Sequence, residues 1–245
     1  MSNSLYKELL QCEAAAMAKL AGEWSEEPSE AMLAGSYVHA SLDGTLEQFR
    51  SEHPEMFLKN GIDLKAQFRT AEDMIHTLQE DEFIQFVLTG QHEHIITAEF
   101  AGCIWKAKLD VYNPDSGRIA DVKTVKAIRD KTWIKDVGWG SFVEAYGYLR
   151  QMALYVEMER IASGRETWLE PLIVAVSKED PPDKQVIGMD SQRIEYELEK
   201  VRENMPRILS VWTQGEEPVR CETCKYCRAT KRLGGVMHYA DLIAI

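Results

Sequence analysis

Two strand-like segments joined by a strong turn constrain this chain more than any other feature. Cys103 to Tyr112 and Arg118 to Thr124 are rich in alternating residues with Ile, Val and Trp, the pattern of β-strands. Residues 113–117 between them, Asn-Pro-Asp-Ser-Gly, are typical of a turn. His94 to Phe100 has the same pattern, so the sequence predicts three consecutive antiparallel strands.

Helical patterns surround these strands. Apolar residues recur at helical spacing from Ser4 to Leu20, and a second helix is expected from about Ser29 to Leu42. The other expected elements are one or two helices between Leu64 and Phe86, an irregular connection around Gly138 and Gly140, a helix over Phe142–Ser163, strands at Trp168–Ser177 and Gln185–Met189, and a charged helix from about Ser191 to Thr213. This order predicts an α/β (α+β) fold with a mixed central β-sheet flanked by helices.

The size of the chain indicates one domain. With 245 residues and 45% hydrophobic composition, it can bury one substantial core. We expect a single domain over residues 1–245, with a helical part to about residue 90, a core over about 91–213 and a cysteine-containing basic tail over about 214–245. No apolar run approaches the roughly 20 residues of a membrane-spanning helix, and no secretion signal is evident, so a soluble, cytoplasmic protein is expected.

Charge is distributed unevenly along the chain. The formal net charge of −12 argues against a protein that coats nucleic acid indiscriminately. From Ala101 to Lys135, however, there are eight Lys or Arg and four Asp, which is a local excess of four positive charges. This segment fits either a solvated basic hairpin or a track that steers DNA into one site.

The predicted hairpin brings acidic groups and a lysine together. Because side chains alternate along a strand, Asp121 and Lys123 point to one face and Val122 to the other, and the turn brings Asp110 alongside. Two carboxylates and a lysine on one face are best stabilised by a hard divalent cation such as Mg²⁺. Asp-x-Lys alone also fits a surface ion pair, but its position after an aspartate-ended strand and a turn favours a metal site.

In this order of motifs the chain resembles the PD-(D/E)XK nuclease superfamily, and within it the RecE-like and lambda-exonuclease-like phage recombination exonucleases, together with the nuclease domains of RecB and AddAB. The matching elements are His39, Asp110, Asp121-Val122-Lys123 and Gln151 with Tyr155. The resemblance implies a restriction-endonuclease-like core. It is specific because these elements follow one another in the same order over about 115 residues of this chain.

The resemblance also implies roles for these residues. Asp110, Asp121 and the Val122 carbonyl would bind Mg²⁺, for which Mn²⁺ would substitute, and Lys123 would serve the attacking water. His39 would support a metal or its water shell, although alone it fits an ordinary helix-face histidine. Gln151 and Tyr155, four residues apart on one helical face, would support the site or contact DNA. Glu99 fits either a metal-shell carboxylate or a partner of the strand lysines.

The activity implied by the resemblance is 5′-to-3′ digestion of one strand of linear double-stranded DNA, leaving 3′ tails for recombination by annealing. Such enzymes form rings around DNA and hand their product to a RecT-type annealing protein, so a homo-oligomer encoded by a phage or prophage is expected. Two alternatives stay open: a single-strand or structure-specific nuclease of the CRISPR-adaptation or AddAB type, and a catalytically silent DNA-binding module.

Two further segments carry candidate binding residues. Residues 126–139 interleave cations with tryptophans, and Arg129, Lys131, Trp133 and Lys135 would hold phosphates and stack a base, unless the tryptophans pack on the core. Cys221, Cys224 and Cys227 have metal-ligand spacing, and Cys12 would be a fourth ligand for Zn²⁺ or a [4Fe-4S] cluster, as in similar nucleases. A basic tail with free thiols is the alternative, and Cys103 is expected to be buried in its strand.

Overall fold

The computed structural model describes residues 1–135 and 137–240, and the chain divides into two compact units. The first unit contains Met1–Asn3 and Glu27–Met205, and the second contains Ser4–Glu26 and the chain from Pro206 onward. The single-domain organisation expected from the sequence stays a prediction, and residues 241–245 of its expected tail lie outside the described residues.

The order of the main helices and strands in the first unit is the one that the sequence predicts. The helices of the chain are α1 (Asn3–Gln11), α2 (Glu13–Leu20), α3 (Glu30–Leu42), α4 (Leu46–Glu52), α5 (Ala66–Gln79), α6 (Glu82–Val87), α7 (Phe142–Ala145), α8 (Tyr148–Ser163), α9 (Ser191–Trp212) and α10 (Lys225–Ala229). The strands are β1 (Gln91–Phe100), β2 (Cys103–Asn113), β3 (Arg118–Val125), β4 (Thr132–Ile134), β5 (Gly138–Gly140), β6 (Glu170–Ser177) and β7 (Lys184–Gly188). A short 3₁₀ helix covers Pro54–Met56.

A mixed sheet in the order β1-β2-β3-β6-β7 forms the centre of the first unit. The strands β1, β2 and β3 are consecutive antiparallel neighbours, whereas β3 pairs with β6 in parallel and β6 with β7 antiparallel. A parallel pair requires a crossover connection, and α8 lies in the chain between β3 and β6. The mixed sheet flanked by helices, as predicted, is confirmed.

One face of this sheet is closed by α3, α5 and α6. Val111, Ala120, Val122 and Val174 from the strands pack in one cluster with helix residues such as Phe68. Burying these aliphatic side chains supplies the main favourable free energy of folding for this layer. The alternate side chains of β3, including Asp121, therefore point to the opposite face, where α8 contacts β1, β2 and β6.

Three predicted elements differ in the structure, and α4, the 3₁₀ helix and α10 were not predicted. The helix expected over Ser4–Leu20 is two helices, because Cys12 adopts an extended backbone with φ −164°. The helix expected over Phe142–Ser163 is interrupted at Gly147, whose φ of 73° lies in the left-handed region that glycine tolerates best. The irregular connection after β3 contains the antiparallel pair β4 and β5, with Trp133 opposite Trp139.

The second unit is helical in its described part. It contains α2, most of α1, the end of α9 and α10. Ala14 donates a backbone hydrogen bond to Val219, and Arg207 binds both carboxylate oxygens of Glu13 at 2.7 and 3.0 Å. Among the residues that the structure describes, no helix is long and apolar enough to cross a membrane.

Candidate metal-dependent active site

The strands β2 and β3 separate at the position of the two predicted aspartates. Their ladder runs from the Asn113–Arg118 pair to the Val111–Ala120 pair, and the next pair in register would be Asp110 with Asp121. Asp110 Oδ2 instead accepts a hydrogen bond from the backbone N–H of Val122 at 2.8 Å. A side chain thus satisfies a backbone donor that the ladder has released, and the carboxyl of Asp110 is fixed beside β3.

Asp121 and Lys123 lie on one face of β3, as strand alternation predicts. Asp121 is 1% exposed, and its Oδ2 lies 2.5 Å from Nζ of Lys123. Val122 between them is fully buried in the hydrophobic cluster of the opposite face. The backbone of β3 therefore delivers an acid and a base to the same place while its middle residue anchors the strand.

The helix α8 supplies polar groups from the opposite side. Gln151 Nε2 donates hydrogen bonds to Asp121 Oδ1 at 2.8 Å and to the Tyr155 hydroxyl at 3.0 Å. Gln151 and Tyr155 are one helical turn apart, so both reach the carboxyl of Asp121 from one face of α8. The structure thus brings together the two helix residues that the sequence placed at the site.

His39, on α3, lies near the carboxylate of Asp110. Its Nδ1 lies 3.5 Å from Asp110 Oδ2. Gly35, one turn earlier on α3, allows this approach, because a Cβ at that position would lie 3.2 Å from Thr124 Oγ1 on β3. Close contact at Gly35 therefore directs the face of α3 that carries His39 toward the strands.

Burial and mutual charge perturb the ionisable groups of this site. Burial raises the pKa of Asp121 to about 6; the cation of Lys123 opposes the rise and the carboxylate of Asp110 adds to it. Burial by itself would lower the pKa of Lys123, but the carboxylates of Asp121 and Asp110 raise it above its ordinary value. Burial, followed by the charge of Asp121, also raises the pKa of Tyr155. Two acids share one cation, so the group carries an excess of negative charge.

The donor atoms fit a hard divalent ion. Asp121 is buried, and its two oxygens are bound by the Lys123 ammonium at 2.5 Å and by Gln151 Nε2 at 2.8 Å. A buried carboxylate beside a second carboxylate is the kind of ligand that Mg²⁺ binds, and an ion there would offset the excess negative charge. Asp110 and Asp121, together with the Val122 carbonyl, are the residues that would hold it. We call Asp110, Asp121, Lys123 and Gln151 the carboxylate site.

Tyr148 was not predicted from the sequence but contacts this group. Lys123 Nζ lies 5.0 Å from the centre of its ring, an arrangement in which the π-electrons attract the cation. Tyr148, Gln151 and Tyr155 follow the i, i+3, i+7 spacing of one helical face, which is the signal that could have identified it.

Glu99 is not brought to the site. It is exposed, and its neighbour across the ladder is Ile104. Ile104 precedes Asp110 by six residues on β2, about 20 Å at the rise of an extended strand. The predicted role of Glu99 in the metal shell therefore has no geometric support.

The basic segment after β3 forms a small hairpin with exposed tryptophans. Trp133 and Trp139 are 64% and 68% exposed and meet edge to face at 5.5 Å between ring centres. Arg129, Lys131 and Lys135 are also exposed, and Arg129 lies 3.9 Å from Asp183. The tryptophans therefore do not pack on the core, which was the alternative to a DNA contact. We call β4, β5 and these two indoles the tryptophan hairpin.

The four cysteines of the predicted metal cluster meet in the second unit. The sulfur atoms of Cys12, Cys221, Cys224 and Cys227 all lie within 4.8 Å of one another. Cys12 and Cys227 are buried, and Cys221 and Cys224 are partly exposed. Cys103 is separate from them, at the start of β2 and half-buried rather than fully buried. We call the four the cysteine site.

The fold and the carboxylate site define a nuclease of the PD-(D/E)XK superfamily. Residues 2–230 match the model of a family described as a PDDEXK-like domain of unknown function, DUF3799, and the chain belongs to this family. A crystal structure from Eubacterium rectale described as a "putative exonuclease" is 38% identical with a TM-score of 0.94, and the match covers 100% of this chain and 92% of that one. These findings support a nuclease.

A second solved structure matches this chain only weakly. A solved structure described as SSO0001 is 12% identical with a TM-score of 0.31 over 91% of this chain and 90% of that one. The search of curated proteins found no match.

Proposed function

We propose that this nuclease is a Mg²⁺-dependent 5′-to-3′ exonuclease that digests one strand of linear double-stranded DNA and leaves 3′ single-stranded tails for recombination by annealing. The observation that carries the proposal is the meeting of Asp110, Asp121 and Lys123 where β2 and β3 separate, so that two carboxylates share one lysine. Exonuclease polarity and duplex preference rest on the resemblance to RecE-like enzymes, and the E. rectale neighbour is described as a "putative exonuclease".

Each residue of the site has a chemical task in this proposal. Bound Mg²⁺ would polarise the scissile phosphate and lower the pKa of a bound water. Lys123, kept protonated by the two carboxylates, orients the attacking water and stabilises negative charge as it develops on the phosphate. Asp110 and Asp121 supply carboxylate oxygens, and their positions are set by the Val122 N–H and by Gln151.

The tryptophan hairpin is assigned to the DNA in the same proposal. Exposed Arg129, Lys131 and Lys135 neutralise phosphates, while the indole of Trp133 offers a face on which an unpaired base can stack. The whole chain has a net charge of −12 although this segment is locally positive, so the remaining surface repels DNA and entry at the basic segment is favoured.

The proposal is tested with linear duplexes that carry a label at either the 5′ or the 3′ end, with a 5′-phosphate or a 5′-hydroxyl. With Mg²⁺, the wild-type protein should release the 5′ label as nucleotides and retain the 3′ label in the shortening product. Asp121→Asn should release neither. Asp115→Asn, in the exposed turn of the same hairpin, is the matched control and should digest like the wild type.

Other outcomes distinguish the alternatives. Earlier release of the 3′ label would reverse the polarity, and faster digestion of a single-stranded substrate would favour the CRISPR-adaptation or AddAB type of activity. No release by the wild type with Mg²⁺ or Mn²⁺ would contradict the exonuclease proposal and favour a silent DNA-binding module. Normal digestion by Asp121→Asn would contradict the site.

The proposed ring needs a measurement of its own. We propose a homo-oligomeric ring that encircles the duplex and a RecT-type annealing protein that receives the single-stranded product, both on the strength of the resemblance. Native mass spectrometry should give a closed oligomer, and a monomeric mass in the presence of DNA would contradict the ring.

A further inference from the structure

The cysteine site has the spacing of one tetrahedral ion. Cys227 Sγ lies 3.6 Å from Cys12 Sγ and 4.0 Å from Cys221 Sγ. Four thiolates around one Zn²⁺, each at about 2.3 Å, would lie about 3.8 Å apart, the edge of the tetrahedron. The described sulfur atoms all fall within 4.8 Å of one another, so one ion can contact all four after small shifts.

Backbone N–H groups point at three of the sulfurs. Cys224 donates to Cys221 Sγ at 3.3 Å, Cys227 donates to Cys224 Sγ at 3.4 Å, and Cys221 donates to Cys12 Sγ at 3.5 Å. Such donors stabilise thiolates rather than thiols, because a negatively charged sulfur is the stronger acceptor. The loop thus supplies the hydrogen bonds that orient metal ligands and balance their charge.

The segments that carry the cysteines are held together independently of the sulfurs. Glu13, next to Cys12, is bound by Arg207 and accepts a hydrogen bond from the Val219 N–H at 2.7 Å. Arg220 donates to the Cys227 carbonyl at 2.8 Å and brings a positive charge to the thiols. Both anchors lie within the second unit, so contacts other than those of the sulfurs also hold the cysteine segments together.

We propose that Cys12, Cys221, Cys224 and Cys227 bind one Zn²⁺ in a closed, four-sulfur structural site. A [4Fe-4S] cluster fits less well, because each thiolate then binds a different iron and the inorganic core keeps the sulfurs farther apart than one shared ion does. A disulfide between Cys12 and Cys227 would use two of the four and leave the other two thiols without the charge that their N–H donors favour.

The ion links the N-terminal segment to the tail. Cys12 and Cys227 are separated by 215 residues along the chain, and a shared ion ties α2 to the segment around α10 within the second unit. Metal binding to such a site is coupled to folding, because the unfolded chain does not hold the four ligands together. The zinc therefore stabilises the second unit and takes no part in hydrolysis.

Metal analysis of the full chain tests the proposal. The protein is purified anaerobically from iron-supplemented cells, so that an iron–sulfur cluster would be retained, and zinc, iron and acid-labile sulfide are measured. One zinc per chain is expected, with iron far below one. Cys12→Ser and Cys224→Ser should lose the zinc, and Cys103→Ser, which changes the one cysteine outside the site, should keep it.

A titration of the wild type covers the case in which those variants do not fold. A thiol-binding mercurial should release one zinc in step with the modification of four thiols, as followed by a zinc-sensitive dye. Cobalt reconstitution should give the intense visible bands of tetrahedral thiolate ligation. About four irons with matching sulfide, a Cys12–Cys227 disulfide in the mass spectrum, or loss of zinc from Cys103→Ser would each overturn the proposal.

Discussion

The carboxylate site and the cysteine site gather similar numbers of ionisable groups in opposite ways. In the carboxylate site, two carboxylates lie beside one lysine, which leaves an excess of negative charge. In the cysteine site, the sulfurs of Cys12, Cys221 and Cys224 each accept a backbone N–H group from the segment that carries Cys221, Cys224 and Cys227. The first arrangement favours an added cation, and in the second four sulfurs can surround one ion.

This difference indicates that one site serves hydrolysis and the other serves the stability of the fold. Hard carboxylate oxygens bind an ion that exchanges water readily and can contact a substrate, whereas four soft thiolates leave no position for one. A metal at the first site should therefore govern the rate of hydrolysis, and a metal at the second should govern the free energy of unfolding.

The largest expected effect is the loss of hydrolysis when a ligand of the carboxylate site is removed. Asp110→Asn should lower Mg²⁺-dependent hydrolysis by about 10³-fold or more, because several kcal/mol of transition-state stabilisation depend on the bound ion. Its melting temperature without metal should not fall, since asparagine can still accept the Val122 N–H while the repulsion with Asp121 disappears.

Cys224→Ser should have the opposite effect to Asp110→Asn. Its melting temperature should fall, and its rate of hydrolysis per folded molecule should stay within a few-fold of the wild type. Activity assays on the folded fraction, paired with thermal unfolding without added Mg²⁺ and without chelator, measure both quantities. A large activity loss in Cys224→Ser at unchanged stability would remove the distinction between the two sites.

Gln151→Leu tests whether the hydrogen bond from α8 positions Asp121. The change removes the donor to Asp121 Oδ1, and loss of such a supporting hydrogen bond costs about 10- to 100-fold in metal affinity or activity. Raising the Mg²⁺ concentration should restore part of the activity. Gln192→Leu, at an exposed position of α9, is the control, and equal effects in both variants would argue against a positioning role for Gln151.

The tryptophan hairpin should affect DNA affinity rather than catalysis. Trp133→Ala should weaken binding of a single-stranded tail by about tenfold, as expected for about 1–3 kcal/mol of stacking per base. Phe83→Ala, which removes a similarly exposed aromatic side chain from α6, should leave affinity unchanged. Fluorescence anisotropy measures both, and unchanged binding by Trp133→Ala would leave the hairpin without a DNA role.

The pH dependence of the carboxylate site follows from Asp121. Burial raises its pKa to about 6, so the folded state binds this proton more tightly than the unfolded chain. The resulting contribution to stability is fully present below the ordinary aspartate range and is lost as the pH rises through about 6. Metal binding needs the deprotonated form and has the opposite dependence.

At limiting Mg²⁺, hydrolysis should therefore fall about tenfold per pH unit below about pH 6, as expected for uptake of one proton by a required base. The rise in melting temperature on adding Mg²⁺ should also shrink as the pH falls through the same range. A profile that is flat across about pH 5 to 7 would mean that Asp121 is not the ion's ligand.

The smallest effect concerns Tyr148. Tyr148→Leu should slow hydrolysis by about two- to fivefold, because an attraction of about 0.5–1 kcal/mol that orients Lys123 is lost. Tyr148→Phe keeps the ring and should restore the rate. If both variants were equally slow, the hydroxyl rather than the ring face would be responsible.

The features that depend on local periodicity could be predicted from the sequence. The three antiparallel strands, the turn at residues 113–117 and the shared face of Asp121 and Lys123 follow from strand alternation and turn chemistry, which need no knowledge of distant contacts. Gln151 and Tyr155 came from the resemblance, and their one-turn spacing explains how both reach Asp121.

What the sequence missed depends on tertiary geometry. Gly147 interrupts the expected helix directly before Tyr148, and Cys12 lies where the first expected helix breaks. Glu99 lies on the strand that the sequence predicted, but its distance from Asp110 is set by the register of β1 against β2. Register and helix breaks are decided by packing across the whole unit, which local patterns do not encode.

Binding of Mn²⁺, followed by the loss of its free-ion electron paramagnetic resonance signal, tests most directly whether Asp110 and Asp121 share a hard metal ion. The zinc-loaded wild type should bind Mn²⁺ in competition with Mg²⁺, and Asp110→Asn and Asp121→Asn should each lose this binding, while Asp115→Asn keeps it. Undiminished Mn²⁺ binding by the two site variants would contradict the account.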